Sequence, residues 1–267
     1  MTKPDLPSYE RPPVIEVVCG VQFEPLEILM THLGLLWQQF PDYPTVIEVA
    51  PLIPVIEKFG EEQALRLHMT DLPPMARTWF LHRDETGIVQ IQKDRFLHNW
   101  KKVRESDDYP RFGTVIGLFR DRLTTFETFL RDVGLGDLRP TQYELTYVNH
   151  IPQGEGWGTM ADFGRLFPGL TSSGVAGFLP SMEQCNLRSA YVLPNQHGRL
   201  HVTIRTATGV DDKKPVIVLE LTARGFPGTA DRDGMWRWFD LAHEWIVRGF
   251  SDLTSPEVQK AQWKRTR

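Results

Sequence analysis

Val14-Ile15-Glu16-Val17-Val18-Cys19-Gly20-Val21-Gln22-Phe23 decides how the rest of the chain is read. Ile15, Val17, Cys19, Val21 and Phe23 fall on one side of an extended backbone. Glu16 and Gln22, with Glu24 beyond them, fall on the other. Alternation with period two marks a strand with one face in a core. Pro25 ends it. Leu26, Leu29, Met30, Leu33, Leu36, Trp37 and Phe40 then recur at helical spacing, predicting a helix over residues 26–40 that stops at Pro41 and Pro44.

Working outward, strand patterns follow near 45–52, 63–70, 76–83 and 87–100, with Asp84-Glu85-Thr86-Gly87 as a hairpin turn between the last two. A longer helix carries Phe112, Val115, Ile116, Phe119, Leu123, Phe126 and Leu130, with Gly134 as its C-cap. The order then recurs. A strand spans 140–152, a short helix 159–167, strands 175–182, 186–194, 199–207 and 215–224, and a helix 235–250. Thr254-Ser255-Pro256-Glu257 opens a last helix with capping-box spacing. The reading is an α+β fold: a duplicated strand–helix–antiparallel-strands–helix unit, with helices on one face of a mostly antiparallel sheet. Residues 1–135 and 136–267, the latter with the C-terminal helix, read as two repeats of one compact unit, similar in outline to the TATA-binding-protein saddle. That likeness concerns shape, not activity.

The 267 residues are 41% hydrophobic and 24% charged, ordinary for a globular chain able to bury roughly three-quarters of its unfolded surface. Thirty Lys and Arg against 34 Asp and Glu leave a net charge of −4, which argues against a surface devoted to nucleic acid. The polar, proline-rich start, MTKPDLPSYERPP, reads as an extended arm rather than a leader, and no apolar run reaches the ~20 residues of a membrane span. Cys19 and Cys185 lie in strand-like segments without a CxxC partner and read as buried free thiols, consistent with a cytoplasmic protein.

The motifs of common chemistries are missing. His243-Glu244 is followed by Val247 where a zinc-protease helix needs its second histidine. His197 and His201 are separated by a Gly198 turn and make no metal site. No GxGxxG after a strand, no GxxxxGK[ST] and no GxSxG occurs. No cofactor and no metal are therefore expected. The most unusual stretch is Gln90-Ile91-Gln92-Lys93-Asp94-Arg95-Phe96-Leu97-His98-Asn99-Trp100, followed by Tyr109-Pro110-Arg111-Phe112. Read as one unbroken strand it places Gln90, Gln92, Asp94, Phe96, His98 and Trp100 on a single face. Polar groups beside rings suit a flat ligand with hydrogen-bonding edges. Glu16 and Glu144 occupy similar places in the two halves and could pair near a pseudo-twofold axis; Asn149 and His150 close the strand carrying Glu144.

The segments PPVIEVVCGVQFEP, VQIQKDRFLHNWKK with YPRF, ELTYVNHIP and LAHEWIVRGFSDLTSPEVQKAQWKR resemble, in that order, a sporadically distributed family of bacterial and archaeal proteins of about this length. The resemblance covers most of the chain and implies a prokaryotic cytosolic protein of an accessory system. It brings no assigned activity, cofactor or catalytic residue. The positions that carry it include Glu16, Asp94, Arg95, Phe96, Asn99, Trp100, Tyr147, Asn149 and Trp263.

The expectation that results is a non-catalytic ligand- or protein-binding module. Its ligand site is drawn from Gln90, Gln92, Asp94, Arg95, Phe96, His98, Asn99, Trp100, Asn149, His150, Glu16 and Glu144. The alternative is a hydrolase- or isomerase-type enzyme using Glu16, Glu144 or His150. A third reading is nucleic-acid binding through Lys101, Lys102, Arg104 and the tail residues Lys260, Lys264, Arg265 and Arg267. A small molecule or protein partner is expected, with nucleic acid unlikely, no membrane, and a homodimer compatible with exposed strand edges.

Overall fold

Gln92 and Arg95 face each other across a two-residue turn at Lys93-Asp94, and this turn changes the reading of the 87–100 stretch. A hairpin replaces the single strand. The computed structural model describes residues 5–53, 55–59, 75–170, 182–209, 213–226 and 231–267. In chain order the elements are β1 (Val14–Phe23), α1 (Met30–Trp37), β2 (Thr45–Val49), β3 (Arg77–Leu81), β4 (Gly87–Gln92), β5 (Arg95–Lys101), α2 (Phe112–Asp132) and β6 (Pro140–Pro152). Then come α3 (Phe163–Leu166), β7 (Asn186–Val192), β8 (Arg199–Thr208), β9 (Pro215–Gly225), α4 (Arg232–Leu253) and α5 (Pro256–Ala261).

The fold is α+β. Among the described residues nine strands form one sheet, in the order β2-β3-β4-β5-β1-β6-β9-β8-β7, with every neighbouring pair antiparallel. β1 and β6 sit side by side at its centre, and the strands that follow each of them return inward from the two opposite edges. The strand expected near 63–70 and nearly all of that at 175–182 lie outside the described residues. The first helix is shorter than its apolar spacing suggests, beginning at Met30 rather than 26. Leu26 N–H is instead held by the Lys93 carbonyl, at 2.9 Å, which keeps the entry extended.

One face of the sheet carries the core. Val17, Cys19, Val21 and Phe23 of β1 are buried, and so are Phe96, Tyr143, Leu145, Tyr147, Leu219, Leu221 and Ala223. A bulge between Val14 and Glu16 brings Val14, rather than Ile15, into this buried set. α2 packs on β5 and β1, and α4 on β6, β8 and β9. The two helices meet through Phe119, whose ring lies 5.3 Å from Phe239, while Phe126 stacks 5.0 Å from Phe96. Each such aromatic side chain removes a large apolar area from water, worth a few kcal/mol per residue.

The opposite face is polar, and residues 50–53 and 55–59 cross it. Leu52 exchanges backbone hydrogen bonds with the Gln92 amide, at 2.8 and 3.0 Å. Gln142 binds Glu57 N–H and the Val55 carbonyl, at 2.7 Å each. The Glu57 carboxylate then reaches Arg199 and His201 on β8. The polar sheet face is strapped. The cysteines are both free, but only Cys19 is in a strand and fully buried; Cys185 precedes β7 and is part-exposed.

Candidate functional site

The hairpin turn divides the expected ligand face in two. Gln90 and Gln92 share the strapped, polar face with Arg95, Leu97 and Asn99, because partners across an antiparallel pair point the same way. Phe96, His98 and Trp100 point to the helices and are buried there. Two turn residues shift the alternation by one, and with period two that reverses every side chain. Asp94 is in the turn itself, holding Gln92 at 3.0 Å and Arg95 at 3.3 Å.

On the polar face a hydrogen-bonded chain runs across four adjacent strands. Arg77 donates to Gln90, at 2.9 Å, Gln90 to Asn99, at 2.6 Å, and Asn99 to Glu16, at 2.5 Å. Burial pushes the Glu16 carboxyl above its usual range, Asn99 and Lys101 pull against the rise, and Glu220 adds to it. Glu144 is not its partner. Glu16 pairs in register with Val148, and Glu144 with Gly20 four residues farther along β1. That offset is roughly 14 Å at ~3.4 Å per residue, and Glu144 is engaged by Arg224. The two carboxylates do not converge for shared acid–base work. His150 is on this face too, at the end of β6, with its basicity lowered by burial and then by Arg205. The basic groups proposed for nucleic acid are partly spent locally: Arg104 holds Glu85 at 2.9 Å, and Arg265 holds Gln259 at 2.7 Å.

The helix-side face holds an apolar cavity of about 300 Å³. Its wall is assembled from five separate stretches. Tyr147 and Asn149 come from the helix-facing side of β6, because the alternation of that strand places them with Tyr143 and Leu145. Tyr109 comes from the loop after β5, where its ring packs 5.6 Å from that of Trp100. Phe112 opens α2, and His243, Ile246 and Phe250 project from one stripe of α4. The arm carrying Tyr9 closes the rim. It is held in place by Arg11 N–H on the Trp263 carbonyl and Thr266 N–H on the Ser8 carbonyl, at 3.1 and 2.8 Å.

Three features set its chemistry. The hydroxyls of Tyr109 and Tyr147 meet, and burial raises both well above the ordinary tyrosine range, so both stay protonated. Their mutual bond uses one O–H proton and leaves one. The His243 ring stacks flat on Phe112, with centroids 4.0 Å apart and planes 4° from parallel. Asn149 spends a donor on the Leu219 carbonyl, at 3.0 Å, which fixes the orientation of its amide. Arg111, at the entrance to α2, has φ 71° and ψ 154°. A non-glycine residue there is strained by about 1–3 kcal/mol. It is held by its guanidinium on the Tyr9 carbonyl, at 2.8 Å.

Of the residues expected to bind, the cavity takes Asn149 directly and Trp100 as support for Tyr109. Tyr9, Tyr109, Phe112 and His243 were not expected there. His243 could have been found, since it lies on the same helical stripe as Phe239, Ile246 and Phe250. The arm and the Tyr109 loop carry no periodic signal. Among the described residues no cluster of three His, Cys, Asp or Glu is arranged to hold a metal ion, and no helix is long and apolar enough to cross a membrane. No protein-family model matches the chain, and no curated protein does.

Proposed function

We propose that this protein is a non-catalytic binding module whose helix-side cavity takes a flat, mostly apolar small molecule with one or two hydrogen-bonding edges. The observation that carries the reading is the convergence of Tyr9, Tyr109, Phe112, Tyr147, Asn149 and His243 on one cavity of about 300 Å³. Apolar walls with a few fixed polar groups are what a small-molecule site requires. Cys19 is the buried thiol nearest this chemistry, and burial pushes it far up, so it makes no nucleophile. The tyrosine hydroxyls, held protonated, serve as donors rather than bases.

The same reading includes kinship with the sporadically distributed prokaryotic family, a cytoplasmic setting in an accessory system, and descent by duplication. Support for duplication comes from the similar strand order on the two sides: outward from β1 run β5, β4, β3 and β2, and outward from β6 run β9, β8 and β7. That order also supports a saddle outline of the TATA-binding-protein kind, with the polar face here crossed by residues 50–53 and 55–59. Exposed apolar residues on both edge strands, Val46 and Ile47 on β2 and Tyr191 and Val192 on β7, support a homodimer. Light scattering tests it.

The binding reading is tested by screening heteroaromatic fragments against the full chain, following Trp fluorescence and thermal stability. Hits should quench or shift Trp emission through the Tyr109–Trp100 contact and lose affinity in His243→Ala and Asn149→Ala. Hits that bind both variants unchanged, or a screen with none, would sink it.

A further inference from the structure

On the polar face, Arg77, Gln92 and Arg95 lie in one row across β3, β4 and β5, with Trp79 and Gln90 in the next. The row continues through Gln22 of β1 to Gln142 of β6. Arg95 is 5% exposed, and Gln22, Gln92 and Gln142 are buried beside it. Three nitrogen donors in this patch, Arg77 Nε, Trp79 Nε1 and Arg95 Nη2, are shut off from water and have no hydrogen-bond acceptor among the described residues. The Arg77 guanidinium also lies 5.3 Å over the Trp79 ring.

Among the described residues the charges do not balance locally. Arg77 spends one nitrogen on the neutral Gln90, and Arg95 shares Asp94 at 3.3 Å with the Gln92 amide. Among those residues, two arginines here meet one carboxylate. They are close enough that Arg95, after burial, contributes to lowering the Arg77 pKa. A buried cation without a counter-charge is costly, and orphaned N–H groups each cost about 1–3 kcal/mol. Buried arginine forks are the usual device for holding planar or tetrahedral oxyanions.

We propose that Arg77, Trp79 and Arg95 form a binding site for an oxyanion, a carboxylate or phosphoryl group, on the strapped face of the sheet. The site is independent of the helix-side cavity, which lies across the sheet from it. Its three donors without acceptors would each gain one from the oxygens of such a group, and Gln22 and Gln92 are buried beside Arg95.

The experiment is a thermal-shift and calorimetric titration of the full chain with sodium phosphate and with sodium acetate, against sodium chloride at equal ionic strength. The wild type should be stabilised by at least one of the two beyond chloride. A response to phosphate alone assigns a phosphoryl ligand, and a response to acetate alone a carboxylate. Arg77→Gln should weaken binding about tenfold, the loss expected for one charged hydrogen bond. Trp79→Phe removes the indole donor and trims the ring while leaving an aromatic face for Arg77; it should weaken binding less while keeping the fold, so it decides the matter if Arg77→Gln does not fold. No stabilisation beyond chloride by either anion, or stabilisation undiminished in both folded variants, overturns the proposal.

Discussion

The Tyr109 and Tyr147 hydroxyls lie 2.7 Å apart, joining the loop after β5 to the central strand β6 at the floor of the cavity. Each is the other's partner, and Tyr147 is 3% exposed. Tyr109→Phe strands the Tyr147 hydroxyl and is expected to cost about 1–3 kcal/mol. In the Tyr147→Phe background the same substitution should cost less, because no buried hydroxyl is left unmatched. Urea unfolding of the double-mutant cycle measures the difference; equal costs in both backgrounds would mean that the pair is not coupled.

Gly20 is needed for a reason of space. A Cβ there would come 2.3 Å from Leu97 Cδ2, on the neighbouring strand. Gly20→Ala should destabilise by about 1–3 kcal/mol, the usual cost of overpacking. The penalty should shrink in a Leu97→Ala background, where the offending atoms are gone. Chemical denaturation of the two pairs compares them.

His98 is wholly buried, both ring nitrogens lack a partner among the described residues, and its pKa is pushed down to about 3, first by burial and then by Arg122 and His82. The folded protein therefore keeps His98 neutral while the unfolded chain takes up a proton below about pH 6.5. Because the unfolded state binds more protons there, stability falls as pH drops from about 6.5 towards 3. His98→Leu should flatten the decline in melting temperature over that range and change stability little at pH 7. An unchanged slope would remove His98 as its cause.

Glu57 anchors the strap. Burial alone would raise its carboxyl, but the hydrogen bonds from His201 and Arg199 outweigh that and hold it below the usual range. A depressed folded pKa gives stability that is full above the unfolded value of about 4.5 and lost as pH falls through the folded one. Glu57→Gln should thus weaken the protein at neutral pH, bringing it closer to wild type in acid. Melting curves at pH 7 and pH 3 test the convergence.

Much of the fold is legible in β1. The alternation from Val17 to Phe23 announces one buried face and one polar one, and the structure keeps both. The stripe of α4 and the apolar spacing of α2 are as plain. The Gln90–Trp100 stretch misleads because Lys93-Asp94 lacks glycine and gives no turn signal, yet it folds as a turn. Phe96, His98 and Trp100 then go to the core, away from Gln90 and Gln92.

Among the described residues, the sequence by itself determined most of the secondary elements, though not the turn at Lys93-Asp94, and which side of most strands is apolar, since side-chain spacing and burial preference are local matters. Only the tertiary structure decided which residues share a site. Tyr9, Tyr109, Tyr147 and His243 come together because β1 and β6 pair at the centre and the two long helices close on each other above them. Glu16 and Glu144 come apart because the β1–β6 register sets them four residues out of step. Register and helix docking are collective results of packing many side chains at once, and no short stretch of chain encodes them.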